Sequence, residues 1–260
     1  MVKLKTKYLY KLLPIIVLFS LLLIWEVYIN LSATPSYILP KPSYIFITLY
    51  QDWEILYPSM MNTLEISIFG FLLAGFGGVI IAIFLSYSKI IQDSLLPLAI
   101  ILQVTPLIAI SPLIIIYIES TYAALLICVW LVAFFPVLSN TIFGLNNIDN
   151  DLSDLFKLYN ASRSKTLLYL RIPHSVPSIL SGLKIAAGLS LIGAIVAEFV
   201  AGAGGTSSGL AFRIIESGYR INIPRMFACI ILLAAMGISL HKLLEFISYL
   251  LLRKWHDNYN

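Results

Sequence analysis

The chain has 260 residues, of which 60% are hydrophobic and only 12% charged, with a net charge of +4 and a mean hydropathy of +0.93. That composition excludes an ordinary soluble domain and points to an all-α polytopic membrane protein, in which surplus lysine and arginine report topology rather than nucleic-acid binding. Cys128 and Cys229 both lie in apolar runs, which excludes a disulfide framework, and neither His174 nor His241 has partners at metal-ligand spacing, so no metal is expected.

Hydrophobic runs long enough to cross the roughly 30 Å hydrocarbon layer occur at 12–31, 63–86, 94–118, 121–143, 185–203 and 226–252, predicting six transmembrane helices. The first follows Lys3, Lys5, Lys7 and Lys11 and is too long for the core of a signal peptide, so it is expected to remain as a helix. An even number of spans puts both chain ends on one side. The segments on that side carry 13 of the Lys and Arg residues (Lys3, Lys5, Lys7, Lys11, Lys89, Lys157, Arg163, Lys165, Arg171, Lys184, Lys242, Arg253, Lys254) against four on the other (Lys41, Arg213, Arg220, Arg225), which predicts cytoplasmic N and C termini. Residues 32–62, with Pro35, Pro40, Pro42, Pro58 and several aromatics, predict an extended entry and an interfacial helix; 1–62 thus form an N-terminal unit before a core domain at 63–253.

The second span repeats small residues at Gly70, Ala74, Gly78 and Ala82, and the fifth at Gly182, Ala186, Ser190 and Ala194. A four-residue period lines each set along one ridge, where another helix can approach closely, either within the chain or from a second subunit. The third span holds Pro97, Pro106 and Pro112 with Gln103, Thr105 and Ser111 between or beside them. Each interior proline frees a carbonyl, tolerated at membrane depth only against protein or a water-filled cavity, so Gln103, Thr105 and Ser111 are candidates for lining a conduit. Glu198, in the outer part of the fifth span, either faces that pathway or bonds to backbone near the following turn. The Gly/Ser run at 202–209 matches GxSxG over Gly205–Gly209 but follows a helix rather than a strand, so it is read as an outer turn, and no GxxxxGK[ST] phosphate loop occurs.

Between the fourth and fifth spans lies a polar block. Leu152, Leu155, Phe156 and Tyr159 fall on one face of a short helix whose start carries Asp149, Asp151 and Asp154. Asn160 stands where a left-handed C-terminal cap is needed, Ser162 can cap a second short helix, and Pro173 is expected to stop it; Pro177 then starts the fifth span. The element at about 150–173 either lies on lipid headgroups or docks a soluble protein.

Residues 154–173, "DLFKLYNASRSKTLLYLRIP", resemble the EAA loop of ABC importer permeases, with Asp154 in place of Glu, Leu155-Phe156 in place of two alanines and Asn160 in place of Gly. The stretches "VTPLIAISPLIII" and "LSGLKIAAGLSLIGAIVAEFVAG" resemble permeases of the nitrate/sulfonate/taurine and pyrimidine-precursor group. The resemblance implies the type I ABC importer permease fold and a multi-pass protein of the inner membrane that imports a small solute, with no enzymatic site of its own and no cofactor, ATP being bound by a partner. The implied partners are an ABC ATPase subunit, an extracytoplasmic solute-binding protein and a second permease subunit, as a homodimer. It further implies that Asp154, Leu155, Phe156, Tyr159, Asn160, Arg163, Lys165 and Pro173 couple the chain to the ATPase. A secondary transporter without an ATPase is the alternative; it would show internal inverted repeats and a charged midplane relay, which the sequence lacks.

Overall fold

The computed structural model describes residues 2–202 and 208–253. Among these residues the chain is helical, with no strand. The Gly/Ser turn expected at 202–209 falls mostly outside them. Five helices are long and apolar enough to cross a membrane, and six spans result if one sharply bent pair is counted as a span.

The bundle is organised on helix α6 (Thr121–Asn146), whose start is capped by Ser120, the hydroxyl accepting the Ala123 N–H at 3.3 Å. Helix α3 (Trp53–Leu85) packs on one side of it and helix α9 (Ile172–Ala201) on the other. Both small-residue ridges face α6 of the same chain. A Cβ added at Gly78 would sit 2.9 Å from the Val137 side chain, and one at Gly182 would sit 2.9 Å from the Pro136 carbonyl oxygen. Ala74, Ala82, Ala186 and Ala194 are fully buried. The ridges therefore serve packing inside this subunit. The apolar centre consists of Phe134, Phe135, Val137, Leu138 and Ile142 of α6, with Leu85 and Leu167 closing one end.

Around this core, helix α1 (Val2–Ser32) stands largely exposed along its described side chains and leads through a turn to helix α2 (Pro42–Gln51), which lies within the segment where a short helix is expected. Helix α3 begins at Trp53 rather than at residue 63, where its apolar run starts; it follows α2 directly across Asp52, and Pro58 sits inside without breaking it. After α9 come helix α10 (Leu210–Tyr219) and helix α11 (Ile223–Leu252), the latter packing against α9, α2 and α10.

Two expectations are corrected. The third span is not one helix: helix α4 (Lys89–Val104) and helix α5 (Leu107–Tyr117) meet at 95°. Thr105 and Pro106 are both extended (ψ 124° and 120°), as the residue before a proline prefers, while Pro97 and Pro112 remain inside helices. The Thr105 hydroxyl donates to the Ile101 carbonyl at 2.8 Å, satisfying an acceptor near the break. Nor does Pro173 stop a helix, or Pro177 start one. Helix α8 (Arg163–Thr166) passes through a π-turn at Leu167–Arg171 directly into α9, with the Ile172 N–H bonded five residues back to the Leu167 carbonyl. A proline ring normally clashes with the carbonyl four residues earlier; the wider π-turn just ahead of Pro173 relieves that clash, so the helix runs on.

The close approach of α9 to α6 makes two glycines on one helix respond oppositely. Gly182→Ala forces a methyl into Pro136 and Asn140 and is expected to lower stability by about 1–3 kcal/mol. Gly188 meets nothing within 4 Å, and Gly188→Ala is expected to raise stability by up to about 1 kcal/mol; thermal unfolding of the purified variants in one detergent reads both.

Candidate functional site

The polar block folds as a helix–cap–helix element. Helix α7 (Asn150–Leu158) starts at Asp149, whose carboxylate accepts the Asp151 N–H at 3.2 Å. It ends in a Schellman motif: the Asn160 N–H bonds to the Lys157 carbonyl (2.9 Å) and the Ala161 N–H to the Phe156 carbonyl (3.0 Å). Asn160 takes the left-handed conformation that this geometry demands, with φ +49°. Ser162 then caps α8, accepting the Lys165 N–H at 3.4 Å. Each turn of chain direction thus has a local polar cause.

On α7, Leu152, Leu155 and Tyr159 are exposed and Phe156 is half-buried; Leu158, not assigned to the stripe from sequence, is exposed as well. Asp154 does not extend the apolar face. It pairs with Lys157 at 2.8 Å, an exposed ion pair of small energetic weight. Arg163 and Lys165 sit exposed on α8.

The residue that joins this element to the bundle was not singled out as functional from sequence. Arg171, at the end of the π-turn, donates from Nε to the Leu145 carbonyl (2.9 Å), from Nη1 to the Ser86 carbonyl (3.2 Å) and from Nη2 to the Asn146 side-chain oxygen (2.7 Å). Asn146 in turn donates to Gln92 at 3.2 Å. Leu145 and Asn146 end α6, and Ser86 caps the end of α3. One guanidinium therefore satisfies terminal carbonyls of two helices and places its charge where both helix dipoles are negative. Its only sequence signal was its basic character; the partners lie 25 to 85 residues away.

A second feature lies at the α4–α5 bend. A cavity of about 450 Å³ is lined there by Gln103, Thr105 and Pro106 with Leu131, Phe135 and Pro136. Gln103 and Thr105 thus lie together on one wall. Ser111 does not: it is fully buried and donates within its own helix to the Ile108 carbonyl.

Glu198 is also away from this cavity. It is buried, accepts the Thr63 hydroxyl at 2.8 Å through Oε1 and the Ala211 N–H at 3.0 Å through Oε2, and presses against Gly209. Thr63 also accepts the Leu210 N–H at 2.9 Å. The carboxylate and hydroxyl together cap the first turn of α10 from two other helices. Glu26 does the same for α2, accepting the Ser43 N–H (3.0 Å) and hydroxyl (2.7 Å). At the far end of α10, Glu216 bonds Arg213 and Arg220, and Arg225 bonds Asp52. The Arg213 hydrogen bond, reinforced by the nearby arginine charges, holds the Glu216 carboxyl below its ordinary range. Its stabilising contribution is therefore present above the usual carboxylate pKa and fades only as pH falls through the depressed one.

A family model for "binding-protein-dependent transport system inner membrane component" matches residues 74–255. A Haemophilus influenzae protein named as an ABC transporter permease is 33% identical over 228 residues, 88% of this chain and 91% of the relative. The formylaminopyrimidine transport permease protein of Halalkalibacterium halodurans is 27% identical over 226 residues, 86% of this chain and 88% of the relative. A crystal structure of an amino acid ABC transporter superposes with a TM-score of 0.63 at 18% identity, covering 78% of this chain and 97% of that one, a likeness of fold.

Capping of α10 by Thr63 and Glu198 yields a stability prediction. Thr63→Val keeps the shape but leaves the Leu210 N–H and one Glu198 oxygen unpaired; unfolding measured by a thermal shift is expected to show a loss of about 1–3 kcal/mol. No loss would show that the Thr63 hydroxyl does not hold α10.

Proposed function

We propose a mechanism from one premise: the chain belongs to the family of binding-protein-dependent transport system inner membrane components, and is a multi-pass permease subunit of an ABC importer. Such permeases work with an ATPase and a solute-binding protein. Our reading is that α7 and its cap are the surface on which the ATPase subunit sits. The observation that carries it is an apolar stripe, Leu152, Leu155, Leu158 and Tyr159, exposed on a short helix in an otherwise charged loop and tied by Arg171 to the ends of α3 and α6. Phe156 adds half-buried apolar surface, and Asp154, Arg163 and Lys165 form its polar rim, the usual anatomy of a docking patch. Asn160 fixes its exit; Pro173 contributes by holding the π-turn rather than by ending the element.

In this reading α7, the two chain ends and the greater share of basic residues face the cytoplasm. ATP binds and is hydrolysed on the partner, and this chain supplies no catalytic group or cofactor. Closure of the ATPase pushes α7; because Arg171 bonds both α6 and α3, the push reaches the bundle and shifts it between two access states. The solute path runs by the cavity at the α4–α5 bend, where Gln103 and Thr105 offer polar contact, while Glu198 holds α10 and Ser111 stays within packing. The solute is a small polar or heterocyclic molecule, of the kind named for the formylaminopyrimidine permease. Helix α4 buries none of its residues within the chain, so a second copy is a natural cover for its apolar side, completing a homodimer.

Two variants separate docking from transmission. Phe156→Asp with Tyr159→Asp is expected to release the ATPase from purified membranes; unchanged co-purification would refute the docking assignment. Arg171→Met is expected to leave the ATPase bound while ATP-driven uptake falls about tenfold or more, the equivalent of one charge-assisted hydrogen bond.

A further inference from the structure

A cleft of about 950 Å³ lies between the α3–α4 turn and the α7–α8 element. Lys89, Lys157, Arg163 and Arg171 line it, and among the described residues no carboxylate does. Lys157 is offset by Asp154. Arg171 is not offset: its partners are two carbonyls and an amide oxygen, which satisfy its donors and leave its charge. Lys89 and Arg163 are exposed at the rim. Ser88 and Lys89 begin α4, a 16-residue helix, so its positive end opens on the same space. The cleft thus gathers the uncompensated charges of Lys89, Arg163 and Arg171, with no carboxylate among the described residues lining it.

Its other side is apolar. Phe76, Ile80 and Phe84 are exposed along one face of α3, and the same face continues to Tyr87, exposed and on the cleft wall beside exposed Ile90. A lipid-facing stripe therefore runs straight into a cationic pocket at the helix end. We propose that this cleft holds the phosphate headgroup of an anionic phospholipid, with an acyl chain lying along Phe76, Ile80 and Phe84. A basic pocket at the interface between helices is the setting in which headgroup phosphates are recognised, and the stripe supplies what a free phosphate would not use. The assignment shares Arg163 with the polar rim proposed to dock the ATPase, but neither Lys89 nor the apolar stripe of α3 belongs to that patch.

The test uses the full chain, with the subunits that co-purify, in nanodiscs of phosphatidylcholine with and without a minor fraction of phosphatidylglycerol. Lipid retained after release is read by native mass spectrometry. Wild type is expected to keep phosphatidylglycerol selectively; Lys89→Gln and Arg163→Gln each reduce retention about fivefold, the loss expected for one basic residue near a membrane surface. Lys89→Arg restores it. Lys165→Gln, two residues from Arg163 but outside the cleft, leaves retention unchanged. Three outcomes overturn the proposal: equal retention of the two lipids, as large a loss in Lys165→Gln, which would mean diffuse attraction, or complete loss of the lipid whenever the ATPase is bound, which would give the cleft to that protein. Inorganic phosphate added to both kinds of disc distinguishes the source. If it displaces phosphatidylglycerol and produces the same thermal shift, the occupant is soluble phosphate and the lipid assignment fails.

Discussion

A single guanidinium connects the part of this protein that meets the aqueous phase with the part that lies in the membrane. Arg171 reaches the ends of α3 and α6 and stands at the root of α9, the three helices that make up the core. Terminal carbonyls at these helix ends need donors, and a helix C-terminus prefers a positive charge, so the bond geometry and the electrostatics agree. The π-turn is what puts the side chain there. An unbroken α-helix through Leu167–Arg171 would bring Pro173 against the preceding turn; widening that turn relieves the ring and sets the register of Arg171.

The rigidity of that link depends on how tightly the core helices pack. In lipid there is no hydrophobic drive to press helices together, and association rests on close van der Waals contact and polar bonds. Gly78 and Gly182 let α3 and α9 come within contact of the α6 side chains and backbone, and the flanking alanines leave no gaps. In the proposed coupling, a displacement at α7 meets three closely packed helices. A sharp change of direction lies elsewhere, at the 95° bend between α4 and α5, where Thr105 and Pro106 are extended and a cavity opens.

Much of this was legible in the residues because it rests on local rules. Apolar length marks the spans, the four-residue ridges identify the packed faces, and the Asp149 and Ser162 caps with the left-handed Asn160 follow from side-chain chemistry at single positions. What sequence did not reveal rests on neighbours distant in the chain. Glu198 meets Thr63 across 135 residues and Arg171 meets Ser86 across 85, so neither partnership has a pattern to read. The prolines mark the intermediate case. Pro97, Pro106, Pro112 and Pro173 look alike in sequence, yet only Pro106 breaks its helix, because Thr105 is extended ahead of it whereas Pro173 is accommodated by the π-turn. Local rules propose a break at every proline, and the surrounding packing decides which break occurs.

The central claim is that α7 moves as one body with the ends of α3 and α6. Leu158, on α7, is 80% exposed and Tyr87, two residues past the end of α3, is 50% exposed, while Cys128 and Cys229 are buried, so spin labels at Leu158→Cys and Tyr87→Cys report cleanly. Double electron–electron resonance on the assembled transporter, with the labelled chain diluted among unlabelled copies, should give one narrow distance, unchanged between nucleotide-free and ATP-bound states, and a broadened one once Arg171→Met is added. A wild-type distance that shifts with ATP would mean that α7 slides over the bundle, and would contradict the account.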